Sequence, residues 1–450
     1  MPPVGKLRFE APVAYDTMYP AEGLDAKLPG PQCLQPEGGG SEDCLTLNIW
    51  KPAKPSTSPL PVRLFIHGGG YQAGSSGDPS LDGCMVVEDA NVIYVTISYR
   101  LGVLGFLALP ELKTAGNATG NWGLLDQRLA LQWLQANIGA FGGDPSRVMI
   151  NGQSAGGYSV LLHTIMPKSH GLFAAALPMS GSSDVMAVDF LGDAFEKGYR
   201  LRDALNCSEA AARLHGFVGT KECLQQASAD DLLAAQIALQ PDTVQQHIPC
   251  IDGVEIPKHP HTMMMEGRTL TPIPTSFEPW VVGYYNNQIF GSWLEGAIAA
   301  VTDAGYHCPA RRVASLFAKQ GLPARVGVVQ AVRPGSVCPL TDVLFPGPIE
   351  VAAFMGAFHG YDVPMTLLKP YFSTCNYTVP ERQLSSFMSG VFSAFSTSGE
   401  PLPPLTNKST SPELANITSW PTWPAFLSID ATIPTLVSTS DILDVKCQLW

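Results

Sequence analysis

The chain has 450 residues, 45% hydrophobic and only 15% charged, with a formal net charge of −12. That much apolar material supplies a large core and excludes a disordered chain, and the acidic balance disfavours phosphate backbones, so no nucleic acid is expected as a partner. No apolar run is long enough to span a bilayer, and the best stretch, 92–109, is interrupted by Arg100.

In chain order, "LTLNIW" (45–50), "VRLFI" (62–66), "VIYVTIS" (92–98) and "RVMING" (147–152) read as short buried strands. Between the last two, "GLLDQRLALQWLQANI" (123–138) carries apolar residues at helical spacing. Strand and helix alternate, which predicts a mostly parallel central sheet with helices on both faces. Residues 186–240 are helical and more polar, with no strand signal, and open a mainly helical insertion placed at 186–270, over one end of the sheet. "PWVVGYY" (279–285) and "RVGVVQAV" (325–332) resume the strands, and "ERQLSSFMSGVFSAFSTSG" (381–399) reads as a late helix. Residues 401–424, rich in Pro, Ser and Thr, read as a surface loop. No internal repeat interrupts this pattern, which fits one domain over 1–450.

Ten cysteines without any CxxC pair argue for disulfides rather than zinc. Asn117, Asn206, Asn376, Asn407 and Asn416 each begin an Asn-x-Ser/Thr glycan acceptor. Together these features place the chain in the secretory pathway or outside the cell. The N-terminus, "MPPVGKLRFE", has neither a basic region nor an apolar signal core. The expectation is therefore a signal already removed or a chain shortened at its start.

The chemistry concentrates in two glycine-rich stretches. "NGQSAGGYSV" places Ser154 in Gly-Gln-Ser-Ala-Gly, after a strand and before a helix. A turn that sharp needs small flanking residues, and it stands the hydroxyl at a helix N-terminus, where backbone N–H groups favour developing negative charge. Upstream, "FIHGGGYQAGS" follows a strand, and its tandem glycines allow close backbone approach to an oxyanion. A phosphate loop would carry a lysine there, and none is present. His67, just before the glycines, reads as structural. On a strand–serine–helix scaffold the acid and then the histidine follow the serine in sequence. His359, in "GAFHGYDVP", is the preferred base; His307 is weaker, and His247, His259 and His261 lie in the segment leading to the later strands. No metal or other cofactor is expected.

These pieces resemble the type-B carboxylesterases, the α/β-hydrolases that include cholinesterases and fungal lipases. "FGGDPSRVMINGQSAG" (141–156) fits the family's serine signature and "EDCLTLNIWKP" (42–52) its second signature; "SYRLGVLGFL", "GLLDQRLALQWLQANIGAFGGDP" and "FHGYDVP" fall where the family has comparable blocks. The resemblance runs over nearly the whole chain and implies an α/β-hydrolase fold with helical insertions. It implies Ser154 as nucleophile, His359 as base, and the amides of Gly69, Gly70 and Ala155 as the oxyanion hole. It implies disulfides Cys33–Cys44, Cys207–Cys223 and Cys308–Cys447, leaving Cys84, Cys250, Cys338 and Cys375, with Cys338–Cys375 a guess.

Two departures from the family follow. Some thirty or more residues, carrying the first edge strands, are expected before "PPVGKLRF". The family's acid falls five residues after the glycine of "VVGYYNNQIF" (281–290), where this chain has Gln288. A glutamine carbonyl holds the histidine tautomer but supplies no charge. The alternatives are a weakened esterase, a substitute acid (Glu295 or Asp303), or another use of the fold. Only ten residues separate Cys33 from Cys44, too few for the choline-stacking loop or lipase lid of the family. The expectation is an open-mouthed hydrolase of small, soluble carboxylic esters, with Trp122 and Trp293 either lining the acyl site or in the core. An acyltransferase or lactonising enzyme and a non-catalytic interaction protein are the alternatives. The sequence carries no signal of oligomeric state.

Overall fold

In a computed structural model of the chain, the described residues are 1–15, 26–36, 38–181, 188–239, 247–266 and 308–319, with four short strands and positions 367, 382, 385 and 388–390 beyond them. The strands are β1 (Leu47–Trp50), β2 (Leu60–Ile66), β3 (Ile93–Ile97), β4 (Gly143–Gln153), β5 (Ala175–Met179), β6 (Asp189–Phe190), β7 (Cys250–Ile251), β8 (Trp280–Val282), β9 (Gly327–Val329), β10 (Phe426–Ile429) and β11 (Thr435–Val437). The helices are α1 (Cys84–Ala90), α2 (Gly102–Phe106), α3 (Trp122–Asn137), α4 (Ala155–Ile165), α5 (Leu191–Ala204), α6 (Glu209–Leu214), α7 (Thr220–Gln226), α8 (Ala229–Leu239), α9 (Pro260–Met265) and α10 (Cys308–Lys319).

Among the described residues, nine strands form one sheet in the order β1-β3-β2-β4-β5-β8-β9-β10-β11. Neighbours from β3 through to β10 are parallel, and the outer pairs β1–β3 and β10–β11 are antiparallel. Every residue of β2 and of β3 is buried, which explains why these strands read as continuous apolar runs instead of alternating ones. The chain leaves β2 for β3 on one side, and β4 then joins β2 on the other. The carboxyl ends of β2 and β4 therefore meet at a topological switch point, the usual place for a ligand crevice in such sheets.

Two apolar clusters hold this frame. The first joins the sheet to α3, α4, α9 and α10 through residues such as Leu64, Val95, Ile150, Leu134, Leu161, Met263 and Val313. The second docks α5, α7 and α8 onto α2 and α3 through Leu201, Leu224, Leu232, Leu104 and Trp122, and takes in Phe9 from the N-terminal segment. The stretch read as purely helical contains a strand after all: β6 pairs in parallel with β7. A two-residue strand leaves no periodic pattern to find. The apolar stretch of β5 and the short strands β10 and β11 were likewise not marked out by the sequence pattern. The late helix expected at 381–399 falls almost wholly outside the described residues, and so does the loop at 401–424.

Cys33 is joined to Cys44, and Cys207 to Cys223, which ties the end of α5 to α7. Cys308 is also disulfide-bonded, while Cys447, Cys338 and Cys375 lie outside the described residues. Of the other described cysteines, Cys84 is exposed and Cys250 buried.

Two ion pairs fasten loops to this frame. Arg8 grips Glu42 through two bonds of 2.6 Å, and its remaining Nη1 donates to the carbonyls of Leu224, Gln225 and Ala227 at the end of α7. Arg100 and Asp126 form a bidentate pair (2.8 and 2.7 Å), and Asp126 also accepts from the Arg100 amide at 3.0 Å. Only 3% and 1% of their side-chain surfaces remain exposed, so neither charge has water to fall back on. Removing one partner strands the other, at a cost of about 3–5 kcal/mol. Asp126→Ala is therefore expected to lower the unfolding free energy by that amount, measured by urea denaturation, with the midpoint shifting and the slope retained.

Candidate active site

The turn at Ser154 is explained by its backbone. Ser154 joins β4 to α4 with φ 57 and ψ −124, a conformation that costs a non-glycine residue about 1–3 kcal/mol. The surroundings impose it. The Ser154 amide donates to the Met179 carbonyl at the end of β5 (2.9 Å), and its carbonyl accepts from Tyr158 (2.9 Å). Gly152 and Gly156 are required by close approach: a Cβ on Gly156 would overlap the Ile66 carbonyl of β2, and one on Gly152 would meet both Gly156 and Ile66 carbonyls. The Gly-x-Ser-x-Gly pattern is thus the footprint of β2, β4 and α4 packed backbone to backbone. Ser154 is partly exposed, and its Oγ bonds to no other side chain among the described residues.

The glycine loop leaves the neighbouring strand, β2. Gly69 (φ +105) and Gly70 (φ +63) adopt left-handed conformations, and the Gly69 carbonyl accepts from Gln72 (2.9 Å) and Ala73 (3.0 Å). A Cβ on Gly68 would come 3.1 Å from the Ser154 Cβ, so the loop lies directly against the serine. The N–H groups of Gly69, Gly70 and Ala155 donate to no acceptor among the described residues. Ala155 is the first residue of α4, where the helix dipole adds partial positive charge. A hydroxyl beside three uncommitted amides is suited to nucleophilic attack on a carbonyl, with stabilisation of the resulting oxyanion.

His67 is a structural residue of this loop. Its ring stacks on Tyr99 (centroids 4.4 Å apart), Nδ1–H donates to the Gly68 carbonyl at 2.9 Å, and the Tyr99 hydroxyl donates to the His67 carbonyl. Burial pushes its pKa down to about 4, so it is neutral at pH 7. On the far side of the loop, Gln72 donates to the His247 carbonyl (2.8 Å) and accepts from Gln236 of α8 (2.9 Å), which also takes the Val103 amide. Two glutamines in separate elements carry no local pattern, so this link leaves no mark on the sequence.

Of the sequence-predicted site residues, Ser154 and Ala155 are consecutive, and Gly69 and Gly70 follow Gly68, which lies against Ser154. His359, Gln288, Glu295, Asp303, His307 and Trp293 lie outside the described residues, as do Asn376, Asn407 and Asn416. Trp122, weighed as an acyl-site residue, is core: it is fully buried and its indole N–H donates to the Leu107 carbonyl (3.3 Å). His259 caps α9 by accepting from the His261 amide. Asn117 and Asn206 are exposed, each with a left-handed backbone. Among the described residues no group of His, Cys, Asp or Glu is arranged to hold a metal ion.

A largely parallel sheet that ends one strand in a strained serine turn, with a glycine loop on the adjacent strand, defines an α/β-hydrolase. The model of the Carboxylesterase family matches residues 1–289, and the chain belongs to that family. It is 37% identical over 287 residues to a protein named cholinesterase from Mus musculus, an alignment covering 59% of this chain and 46% of the relative. It is 36% identical over 282 residues to para-nitrobenzyl esterase from Bacillus subtilis (strain 168), covering 59% of this chain and 54% of the relative. The chain thus spans about half the length of these curated relatives.

Three buried histidines make stability depend on pH. Burial lowers His67 from 6.5 to about 4 and His163 and His247 to about 3. All three are neutral in the folded chain while the unfolded chain protonates them, so stability is full above about pH 6.5 and is lost as pH falls toward the folded values. Each histidine contributes a slope of about 1.4 kcal/mol per pH unit across that window. His163→Gln is expected to flatten the dependence by about that amount, read from urea denaturation between roughly pH 6.5 and 4.

Proposed function

We propose that the protein is a serine carboxylic-ester hydrolase that works through an acyl-enzyme. The observation that carries this reading is Ser154 on its strained turn, with the unpaired amides of Gly69, Gly70 and Ala155 beside it. In the proposed cycle Ser154 Oγ attacks the ester carbonyl while His359 takes its proton. The tetrahedral oxyanion is held by the three amides. It collapses to the acyl-serine as His359 protonates the departing alcohol, and water, deprotonated by His359, then releases the acid. Gln288 is assigned to the position facing His359 Nδ1. In support, β4, β5 and β8 run parallel, so the carboxyl end of β8 lies on the same side of the sheet as the end of β4 that carries Ser154.

The substrate class is small, soluble carboxylic esters, because the Cys33–Cys44 disulfide closes a loop of sequence separation 11, too short to fold as a lid over the serine. The helical insertion over 186–270 is assigned to one side of the mouth of a single α/β-hydrolase domain, in keeping with the Gln72–Gln236 link between α8 and the glycine loop. Disulfides and exposed acceptor asparagines fit a secretory-pathway glycoprotein. No described helix is long and apolar enough to cross a membrane.

A fluorophosphonate is expected to label the parent at Ser154 and to leave Ser154→Ala unlabelled, with p-nitrophenyl acetate hydrolysis lost and the melting transition retained. Turnover by Ser154→Ala equal to the parent sinks the nucleophile assignment.

The amide at position 288 predicts a slow enzyme, since replacing the acid of such a triad by its amide costs about 10⁴ in kcat. Gln288→Glu is expected to raise kcat by roughly 10- to 1,000-fold by pairing a carboxylate with the imidazolium of the transition state. An unchanged kcat, or loss of activity in Glu295→Gln or Asp303→Asn alone, moves the acid elsewhere.

A further inference from the structure

The hydroxyl of Tyr71 is buried one residue beyond the glycines, and the chemistry described so far gives it no task. Tyr71 is 3% exposed and has φ 63, an uncommon conformation for a bulky side chain. Its ring packs edge-on against Phe106 (5.0 Å between centroids), and its carbonyl accepts from the Gly102 amide (2.7 Å). Its hydroxyl accepts from Ser159 Oγ at 3.4 Å. Ser159 stands on α4, five residues after Ser154, on the helix that begins with the Ala155 amide.

Ser159 is itself the end of a buried chain of hydrogen bonds. Gln127 Nε2 of α3 donates to Ser159 Oγ (3.1 Å), Gln127 Oε1 accepts from His163 Nε2 (3.0 Å), and His163 Nδ1 accepts from Ser169 Oγ (2.9 Å). The orientation of the Gln127 amide sets the direction of these bonds. An amide nitrogen only donates, so the Ser159 oxygen is the acceptor there, which leaves its own proton for the bond to Tyr71. An amide oxygen only accepts, so Nε2 of His163 carries the ring proton and Nδ1 is left to accept from Ser169. Every link of the chain is closed, and Gln127, Ser159, His163 and Ser169 are all fully buried.

We propose that Tyr71 is a positioning residue for the oxyanion hole, its hydroxyl locking the glycine loop to the nucleophile helix through Ser159. The hole draws its amides from two elements: Gly69 and Gly70 on the loop, Ala155 on α4. A shift of either element misaims the donors without removing any. This inference rests on the ester-hydrolase reading of Ser154. Loss of one oxyanion donor costs about 10²–10³ in kcat, so misaiming is expected to cost about 10-fold.

The test uses the full chain and two variants, Tyr71→Phe, which keeps the ring against Phe106, and Ser159→Ala. Both are assayed for p-nitrophenyl acetate hydrolysis, for inhibition by a trifluoromethyl ketone that places its oxyanion in the hole, and for fluorophosphonate labelling. The expected result is kcat lower by about 10-fold in each, KM within about twofold, and ketone affinity weakened by the same factor as kcat. A purely structural role leaves the active fraction smaller but the ketone affinity per labelled site unchanged. That result overturns the proposal, as does a kcat within twofold of the parent in both folded variants, or loss of the melting transition in both. A parent that neither hydrolyses the ester nor is labelled at Ser154 overturns the hydrolase reading and this proposal with it. A labelled, active parent with unaffected variants overturns the positioning role alone.

Discussion

The site depends on how closely the backbones of β2, β4 and α4 approach one another. Only residues without a Cβ fit where Gly152 and Gly156 pass the Ile66 carbonyl. That contact forces the chain to reverse within a single residue, and Ser154 takes the left-handed conformation that results. The same closeness sets the glycine loop against the serine, because the loop starts from β2 immediately after Ile66. A substitution that widened the gap between the two strands would relax the serine and move the amides away from it in one stroke.

What surrounds that contact is a set of restraints on a loop that has little stiffness of its own. His67 stacks on Tyr99 at one end, Gln72 is bonded to Gln236 and His247 at the other, and Tyr71 is held between Phe106 and Ser159. Each restraint comes from a different element: the segment after β3, α8, α2 and α4. Glycine allows the unusual backbone, and the polar partners select one conformation from those that glycine allows.

The parts of this arrangement that depend on local geometry are legible in the sequence. The glycines around Ser154 mark a turn because close approach excludes side chains, and α3 is marked by its 3.6-residue period. The family membership read from the signatures at 42–52 and 141–156 agrees with the family match over 1–289. What holds the site is illegible for a physical reason. Ser159 and Tyr71 are 88 residues apart, Gln127 and His163 36, Gln72 and Gln236 164, and a bond between distant residues imprints no spacing on either segment. Trp122 shows the opposite hazard: a tryptophan serves a core and a substrate pocket equally well, and only its depth and its bond to Leu107 decide between them. The two-residue β6 is too short to show the alternation that identifies a strand.

The Arg8 contacts set an order of events during synthesis. The guanidinium reaches Ala227, 219 residues further along the chain, and Glu42, which is 34 residues away. At about 5–20 residues per second, ribosomal elongation separates the appearance of Arg8 from that of Ala227 by roughly ten to forty seconds. Once Glu42 has been made, and for the rest of that interval, the Arg8 segment has its carboxylate partner but none of the α7 carbonyls, and Phe9 has no α7 or α8 side chains to bury against. The segment around Arg8 is thus among the last to settle although it is made long before α7, and a chaperone or protease meeting the nascent chain would find it open while the β2–β4 frame is already forming.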